Sequence, residues 1–264
     1  MVRIPFLDPE APVVVIDIGN SSTHLATWHA GQIKTPIAVP TQEHAAFAEA
    51  FDAHVAAMDG RPAAVVIASV VPEALERMRT VLEALLDQDP LVVGEQVPLP
   101  IDLEVDDPKA IGVDRVCAAA AAFETLQSGC VVIDFGTAVT VDLVDDEGTL
   151  QGGAILPGIG LQFRALHEFT AQLPLVAPGL PERPFGRNTT EAIQVGVCRG
   201  IAGAARGIVE AYATSLNRWP QVIATGGDAP FMAPHCDFVD TLVRELTLRG
   251  VGLAYTNHLA AHGA

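Results

Sequence analysis

Asp134-Phe135-Gly136-Thr137-Ala138-Val139-Thr140 follows directly on the apolar run Val131-Val132-Ile133. An apolar strand leads into an acid, a glycine and then hydroxyls. Glycine allows a tight turn and close backbone approach to a ligand. The hydroxyls and freed N–H groups can hold phosphate, and an aspartate can bring a cation to balance it. Near the start of the chain, Val13-Val14-Val15-Ile16 leads into Asp17-Ile18-Gly19-Asn20-Ser21-Ser22-Thr23 in the same order. Two copies of a strand-acid-glycine-hydroxyl turn predict a duplicated α/β fold whose halves face one nucleotide across a cleft.

The 264 residues, half of them hydrophobic, are enough for one large domain or two medium ones. A net charge of -17 argues against a nucleic-acid binder, which needs clustered Lys and Arg. It leaves room for a nucleotide ligand, whose site can be locally positive or use a metal. Cys117, Cys130, Cys198 and Cys236 form no CxxC pair and no metal-type spacing with histidine. They read as small buried hydrophobes, which suits a reducing cytoplasm. The stretch from Met1 to Pro12 holds acids and prolines where a secretory leader needs an apolar run. The Ala-rich run Val116 to Phe123 is too short to span a bilayer. The expectation is a cytoplasmic protein without a membrane segment.

Outward from the two turns, Thr23 to His29 and Gln32 to Val39 read as strands joined at Ala30-Gly31. Thr41 to Met58 reads as a helix, with Phe47, Phe51, Val55 and Met58 on one stripe, broken at Gly60-Arg61-Pro62. Ala63 to Val70 is a buried parallel strand. Pro72 opens a helix with Leu75, Met78, Leu82 and Leu85 inward, and Leu91 to Val93 is a short strand. Pro98 to Ala110 is an acidic linker by composition, and a helix follows from Gly112 to Gln127. The plan then repeats: strands at Cys130 to Thr137, Val139 to Val144 and Leu150 to Ile155, and a helix at Leu161 to Leu173. A surface loop from Val176 to Arg187 precedes a helix from Thr190 to Asn217, broken or whole. A strand at Val222 to Ala224 ends in Thr225-Gly226-Gly227-Asp228, and a largely helical segment, Leu242 to Ala261, is interrupted at Gly250 and Gly252. The predicted halves are 1–111 and 112–264, with the last helix free to pack back on the first.

The ordered motifs resemble the type III pantothenate kinases, a branch of the acetate-kinase, sugar-kinase, Hsp70 and actin superfamily. The resemblance rests on Asp17-Ile18-Gly19-Asn20-Ser21, Gly112-Val113-Asp114-Arg115, Asp134-Phe135-Gly136-Thr137-Ala138 and Gly152-Gly153-Ala154-Ile155-Leu156-Pro157-Gly158. It continues through Thr170-Ala171-Gln172-Leu173-Pro174, Gly186-Arg187-Asn188-Thr189, Thr225-Gly226-Gly227 and Leu246-Thr247-Leu248-Arg249-Gly250, covering nearly the whole chain. It implies duplicated ribonuclease-H-like (actin/acetate-kinase-like) domains, each a mixed sheet flanked by helices, with the active site between them. It also implies a homodimer that phosphorylates the primary hydroxyl of pantothenate with ATP, Mg²⁺ and a monovalent cation, K⁺ or NH₄⁺.

By the same resemblance, Asp17, Ile18, Gly19, Asn20, Ser21, Ser22, Thr23 and His24 bind ATP, with Asp17 near Mg²⁺ and Thr137 a further ATP contact. Asp134 is the implied ligand of the monovalent cation. Asp114 is the implied catalytic base, since a carboxylate can accept the proton of an attacking alcohol. Gly112, Val113, Asp114, Arg115 and Thr189 are the implied pantothenate contacts, with Arg115 the first choice to meet the substrate carboxylate. Each residue also has a plain structural reading. Asp17 can close an Asx-turn, Asp114 can complement a helix dipole, and Arg115 can sit in a surface ion pair. His24 reads as a surface hairpin histidine and His167 as a solvated one. Gly196, Gly200, Gly203 and Gly207 fall at helical spacing, a smooth face that permits close approach by another helix or by adenosine, with close helix packing the reading preferred. Gly226 and Gly227 suit either an adenine contact or an ordinary strand-to-helix turn.

Ser21 stands where the family usually has threonine, Ala26 near a usual glycine, and Arg187 where lysine is common. Val105 stands where many members carry a pocket tyrosine. The rival readings are a non-catalytic nucleotide-binding regulator on the same scaffold and a kinase for another small hydroxy acid. Asp17, Asp114 and Asp134 occurring together favour an enzyme.

Overall fold

The structure is a computed structural model that describes residues 11–58, 62–86 and 89–263. The chain divides into two compact units: unit 1, Met1–Thr125 with Glu245–Ala264, and unit 2, Leu126–Arg244.

Unit 1 is built on β1 (Val13–Ile18), β2 (Ser22–His29), β3 (Gln32–Pro40), β4 (Val65–Ser69) and β5 (Leu91–Val92), in the sheet order β3-β2-β1-β4-β5. β1 to β3 are an antiparallel meander, and β4 and β5 continue it in parallel from β1. Side chains alternate across a strand, so β1 feeds two cores. Val14, Ile16 and Ile18 pack with Phe47 and Phe51 of α1 (His44–Ala56) and Leu75, Met78 and Leu82 of α2 (Pro72–Leu85). Val13 and Val15 pack on the other face with Cys117 of α3 (Val113–Leu126). Leu248, Val251, Tyr255 and Leu259 of the closing helix, Leu246–Ala261, join them there. A two-residue strand, β6 (Asp102–Leu103), interrupts the predicted linker.

Unit 2 repeats the plan with β7 (Cys130–Phe135), β8 (Ala138–Val144), β9 (Thr149–Pro157), β10 (Gln221–Thr225) and β11 (Thr241–Leu242). They stand in the order β9-β8-β7-β10-β11. β7 to β9 are antiparallel, while β10 and β11 run parallel to β7. Val131, Ile133 and Phe135 pack with α4 (Ile159–Glu168), α5 (Thr189–Leu216) and α6 (Ala229–Met232); α7 is the closing helix already placed in unit 1. The strand order of unit 2 is that of unit 1, so this is a duplicated ribonuclease-H-like α/β fold.

Several expectations need correction. The compact units divide between Thr125 and Leu126, and α3 packs against β1 and α7 through Cys117. α1 begins at His44, not Thr41, because Thr41 is committed to the first turn. On α1, His54 is buried, its Nε2 2.9 Å from Thr27 Oγ1, while Val55 and Met58 are only half-buried. Gly60 and Arg61 of the predicted break lie outside the described residues. Leu85 is exposed.

α4 ends at Glu168, where Leu173 was expected: the Thr170 hydroxyl donates to Leu166 O at 2.7 Å and competes with the backbone. α5 is unbroken over 28 residues. Its start is locked reciprocally, Asn188 Oδ1 accepting from Glu191 N–H at 2.9 Å and Glu191 Oε2 accepting from Arg187 N–H at 2.9 Å. A Cβ added at Gly196, Gly200, Gly203 or Gly207 would meet nothing within 4 Å, so these glycines form an open face and pack on no other helix of this chain among the described residues. Among the described residues α5 is the one helix long and apolar enough to cross a membrane. Its inward face, Ile193, Val197, Ile201, Ala205 and Val209, belongs to the core of unit 2. Gly250 and Gly252 do not interrupt α7. They let it close on the Cys117 backbone and the Trp28 ring.

Candidate active site

In unit 1 the first turn is held from below. Gly19 N–H donates to Ser22 O at 3.1 Å, and the Thr41 hydroxyl donates to Gly19 O at 2.7 Å. With that proton spent, the Thr23 hydroxyl donates to Thr41 Oγ1, 3.1 Å away. Thr23 and Ile18 are both fully buried, so their side chains build the turn and leave its backbone to any ligand. Asn20 and Ser21 are exposed, and Gly19 and Ser22 are half-buried. Ala26 sits where the β2–β3 register shifts, a bulge that bends the hairpin.

Asp17 pairs with His24 across β1 and β2, so both project from the face that carries α3 and α7. His24 is half-buried, correcting the surface reading. Burial lowers its pKa from 6.5, with Glu245 at the start of α7 acting in the opposite sense. Asp114 lies in the first turn of α3, its Oδ1 accepting from Arg115 N–H at 2.8 Å. A Cβ on Gly112 would stand 2.5 Å from that oxygen, so the carboxylate folds back over Gly112. The Cys117 thiol is pushed well above its usual range, first by burial and then by Asp17 and Asp114 together. Both aspartates therefore lie near enough to act on one buried thiol. Arg115 and Val113 are half-buried beside them. Carboxylate oxygens of this kind are the hard ligands that a divalent cation brought in by phosphate takes.

In unit 2, Asp134 stands opposite Thr140 in β8 and Thr225 in β10, all on the face away from α5. Gly136 N–H donates to Ala138 O at 3.1 Å, and Gly158 N–H to Thr137 O at 3.0 Å, which tie the turn to the end of β9. Thr137 is half-buried within this turn. Gly226, at φ +97°, has no room for a side chain: a Cβ there would lie 2.6 Å from Phe135 O and closer still to Asp134 Oδ1. The Asp134 carboxylate is thus cradled by the turn after β10. Its oxygens and the neighbouring hydroxyls suit a monovalent cation, although among the described residues no group of three His, Cys, Asp or Glu is placed to hold a metal. Thr189 opens α5 and lines a cavity of about 850 Å³ with Arg187, Asn188, Leu166 and Ile193. It belongs to unit 2, whereas Gly112 to Arg115 belong to unit 1. His167 is exposed, as expected, with Nδ1 2.9 Å from Leu173 O.

Sequence reasoning missed four residues here: Thr41, Cys117, Asp228 and Glu245. Asp228 follows Gly227, is half-buried, and has its pKa raised by burial. Its place directly after a Gly-Gly turn was the available signal. Glu245 and Thr41 are distant in sequence from the turns they serve, and nothing in a linear pattern marks them.

A family model described as type III pantothenate kinase matches residues 13–211. The type III pantothenate kinase of Rhodospirillum rubrum is 42% identical over 189 residues, 71% of this chain and 74% of that protein. That of Geobacillus kaustophilus is 31% identical over 257 residues, 95% of this chain and all of its own length. Among solved structures, a Campylobacter jejuni protein described as a Baf family transcriptional activator superposes with TM-score 0.65 at 19% identity, over 94% of this chain and 100% of that one, a likeness of fold alone. Motif order, duplicated topology and family match agree: the chain belongs to the type III pantothenate kinase family.

Proposed function

We propose that the chain transfers the γ-phosphate of ATP to the primary hydroxyl of pantothenate, with Asp114 as the base. The observation that supports the role of Asp114 is that it, in the first turn of α3, and Asp17, near the end of β1, both act electrostatically on the one buried Cys117 thiol. Phosphoryl transfer depends on positioning and on neutralising charge more than on covalent chemistry.

The roles divide between the units. In unit 1, the backbone of Gly19 to Ser22 receives phosphate oxygens, His24 stands beside them as a neutral donor, and Asp17 holds Mg²⁺. When bound, Mg²⁺ supplies positive charge to the phosphates. Asp114 accepts the alcohol proton as attack proceeds, and Arg115 meets the pantothenate carboxylate. In unit 2, Thr137 contacts ATP, Asp134 holds the monovalent cation, and Thr189 contacts pantothenate. Four free, buried thiols support a reducing, cytoplasmic setting. The open glycine face of α5 supports the homodimer, which light scattering tests directly.

A coupled assay with ATP, Mg²⁺, K⁺ and pantothenate tests the reaction. Asp114→Asn should lower kcat by at least about 10²-fold while ATP still binds. Full activity in that variant would remove Asp114 from its role, and ATP binding without turnover by the unaltered protein would overturn the proposal.

A further inference from the structure

One hydroxyl beside Asp134 has no use in the fold. Thr225, Asp134, Thr140 and Ile155 form a row across β10, β7, β8 and β9, each directly opposite the next. Opposed residues share a face, with side chains close together. Thr225 uses its hydroxyl, donating to Arg244 O at 2.9 Å. Thr140 does not: its Oγ1 is buried and has no hydrogen-bond partner. The carboxylate directly across from it is not within hydrogen-bond reach of that hydroxyl. Gly226 and Gly136 run close to the carboxylate from the two turns, where an added Cβ would stand against Asp134 Oδ1. At the far end, Ile155 is 63% exposed, so the row runs from the buried Thr225 on β10 out to solvent.

A buried hydroxyl left unpaired is costly. Two oxygens that face each other without a hydrogen bond are a natural pair of ligands for a hard cation, which collects carboxylate and neutral oxygens. A single carboxylate with a neutral hydroxyl carries one negative charge, which matches a monovalent ion better than a divalent one.

We propose that Thr140 Oγ1 is a ligand of the monovalent cation at Asp134 and sets the affinity for that ion. This rests on the role given to Asp134 above. It adds a residue that lies outside the Asp-Phe-Gly-Thr-Ala turn, on the neighbouring strand.

The test uses the full chain with MgADP and no pantothenate, so it does not depend on turnover. Melting temperature is followed as K⁺ replaces tetramethylammonium at constant ionic strength, for the unaltered protein, Thr140→Val and Thr140→Ser. The unaltered protein and Thr140→Ser should show a saturable rise with K⁺. Thr140→Val should need about tenfold more K⁺ or more, yet melt no lower than the unaltered protein in tetramethylammonium, because it has lost an unpaired hydroxyl. ²⁰⁵Tl resonance with Tl⁺ as the probe should follow the same order.

An identical K⁺ response in Thr140→Val would overturn the proposal, as would no K⁺-specific response in the unaltered protein. So would an equal loss of melting temperature at every K⁺ level, which would mark Thr140 as structural only. Failure of the pantothenate reading would show separately, as absent turnover beside an intact K⁺ response.

Discussion

Replacing Gly250 by alanine tests how α7 and α3 are seated on each other. Gly250 lies inside α7 and is buried against α3. A Cβ there would stand 2.6 Å from Cys117 Cα and closer still to Cys117 C and O, all backbone atoms that cannot rotate away. Ordinary carbon contacts are near 3.5–4 Å, so α7 must retreat by roughly 1 Å. That retreat loosens the contacts of Leu248, Val251, Ala254 and Tyr255 with the sheet. Overpacking of this kind costs about 1–3 kcal/mol, occasionally more. Alanine recovers up to about 1 kcal/mol through helix propensity. The net loss should be about 1–2 kcal/mol, or a fall of roughly 2–8 °C in melting temperature. The control is Gly200→Ala, mid-helix on α5 with nothing within 4 Å of the added methyl, which should gain about 0.5–1 kcal/mol. Asp114 lies one turn before Cys117 on α3, so Gly250→Ala should lower kcat as well as stability. If both variants gain stability alike, the close seating of α7 on α3 is refuted.

Three further perturbations follow from the same geometry. Gly226→Ala places a methyl against Phe135 O and the Asp134 carboxylate at φ +97°. It should cost about 1–3 kcal/mol in urea melts and weaken the K⁺ response; a variant as stable as the parent would show that the turn has slack. Thr41→Val strips the donor from Gly19 O and the acceptor from Thr23. It should cost about 1–3 kcal/mol and raise the KM for ATP more than that for pantothenate, and equal effects on both would remove Thr41 from the nucleotide turn. Burial lowers the pKa of His24, His54 and His258 below 6.5. The folded state then binds fewer protons than the unfolded one as acid is added, so stability is full above 6.5 and falls as pH drops through it. Melting temperature should decline on acidification from about pH 7 to about pH 5, and less steeply in His54→Gln; a flat profile in the parent would contradict the sign.

The duplication was legible in the sequence because both turns carry the same chemistry at the ends of continuous apolar runs. Buried parallel strands need such runs, and a phosphate-binding turn needs glycine and hydroxyls within a few residues. Local patterning also marked the meanders, the proline that opens α2 and the helix that carries Asp114. Helix ends were less legible, as at α4, where a side-chain hydroxyl competes for a backbone carbonyl. The glycines of α7 and α5 look alike on paper: Gly250 and Gly252 accept α3 and Trp28, while Gly200 faces open space. Only packing separates a glycine that admits a neighbour from one that has none.

The sequence by itself determined the two acid-glycine turns, the order of strands and helices, and the residue types available for phosphate and cation. These are properties of contiguous residues, and contiguity is what a linear pattern records. Tertiary structure decided which distant residues complete each turn: Thr41 beneath Gly19, Glu245 acting electrostatically on His24, Gly226 over Asp134, and Thr140 opposite it. Those pairings arise from sheet register and helix docking, which bring together residues that no local spacing connects.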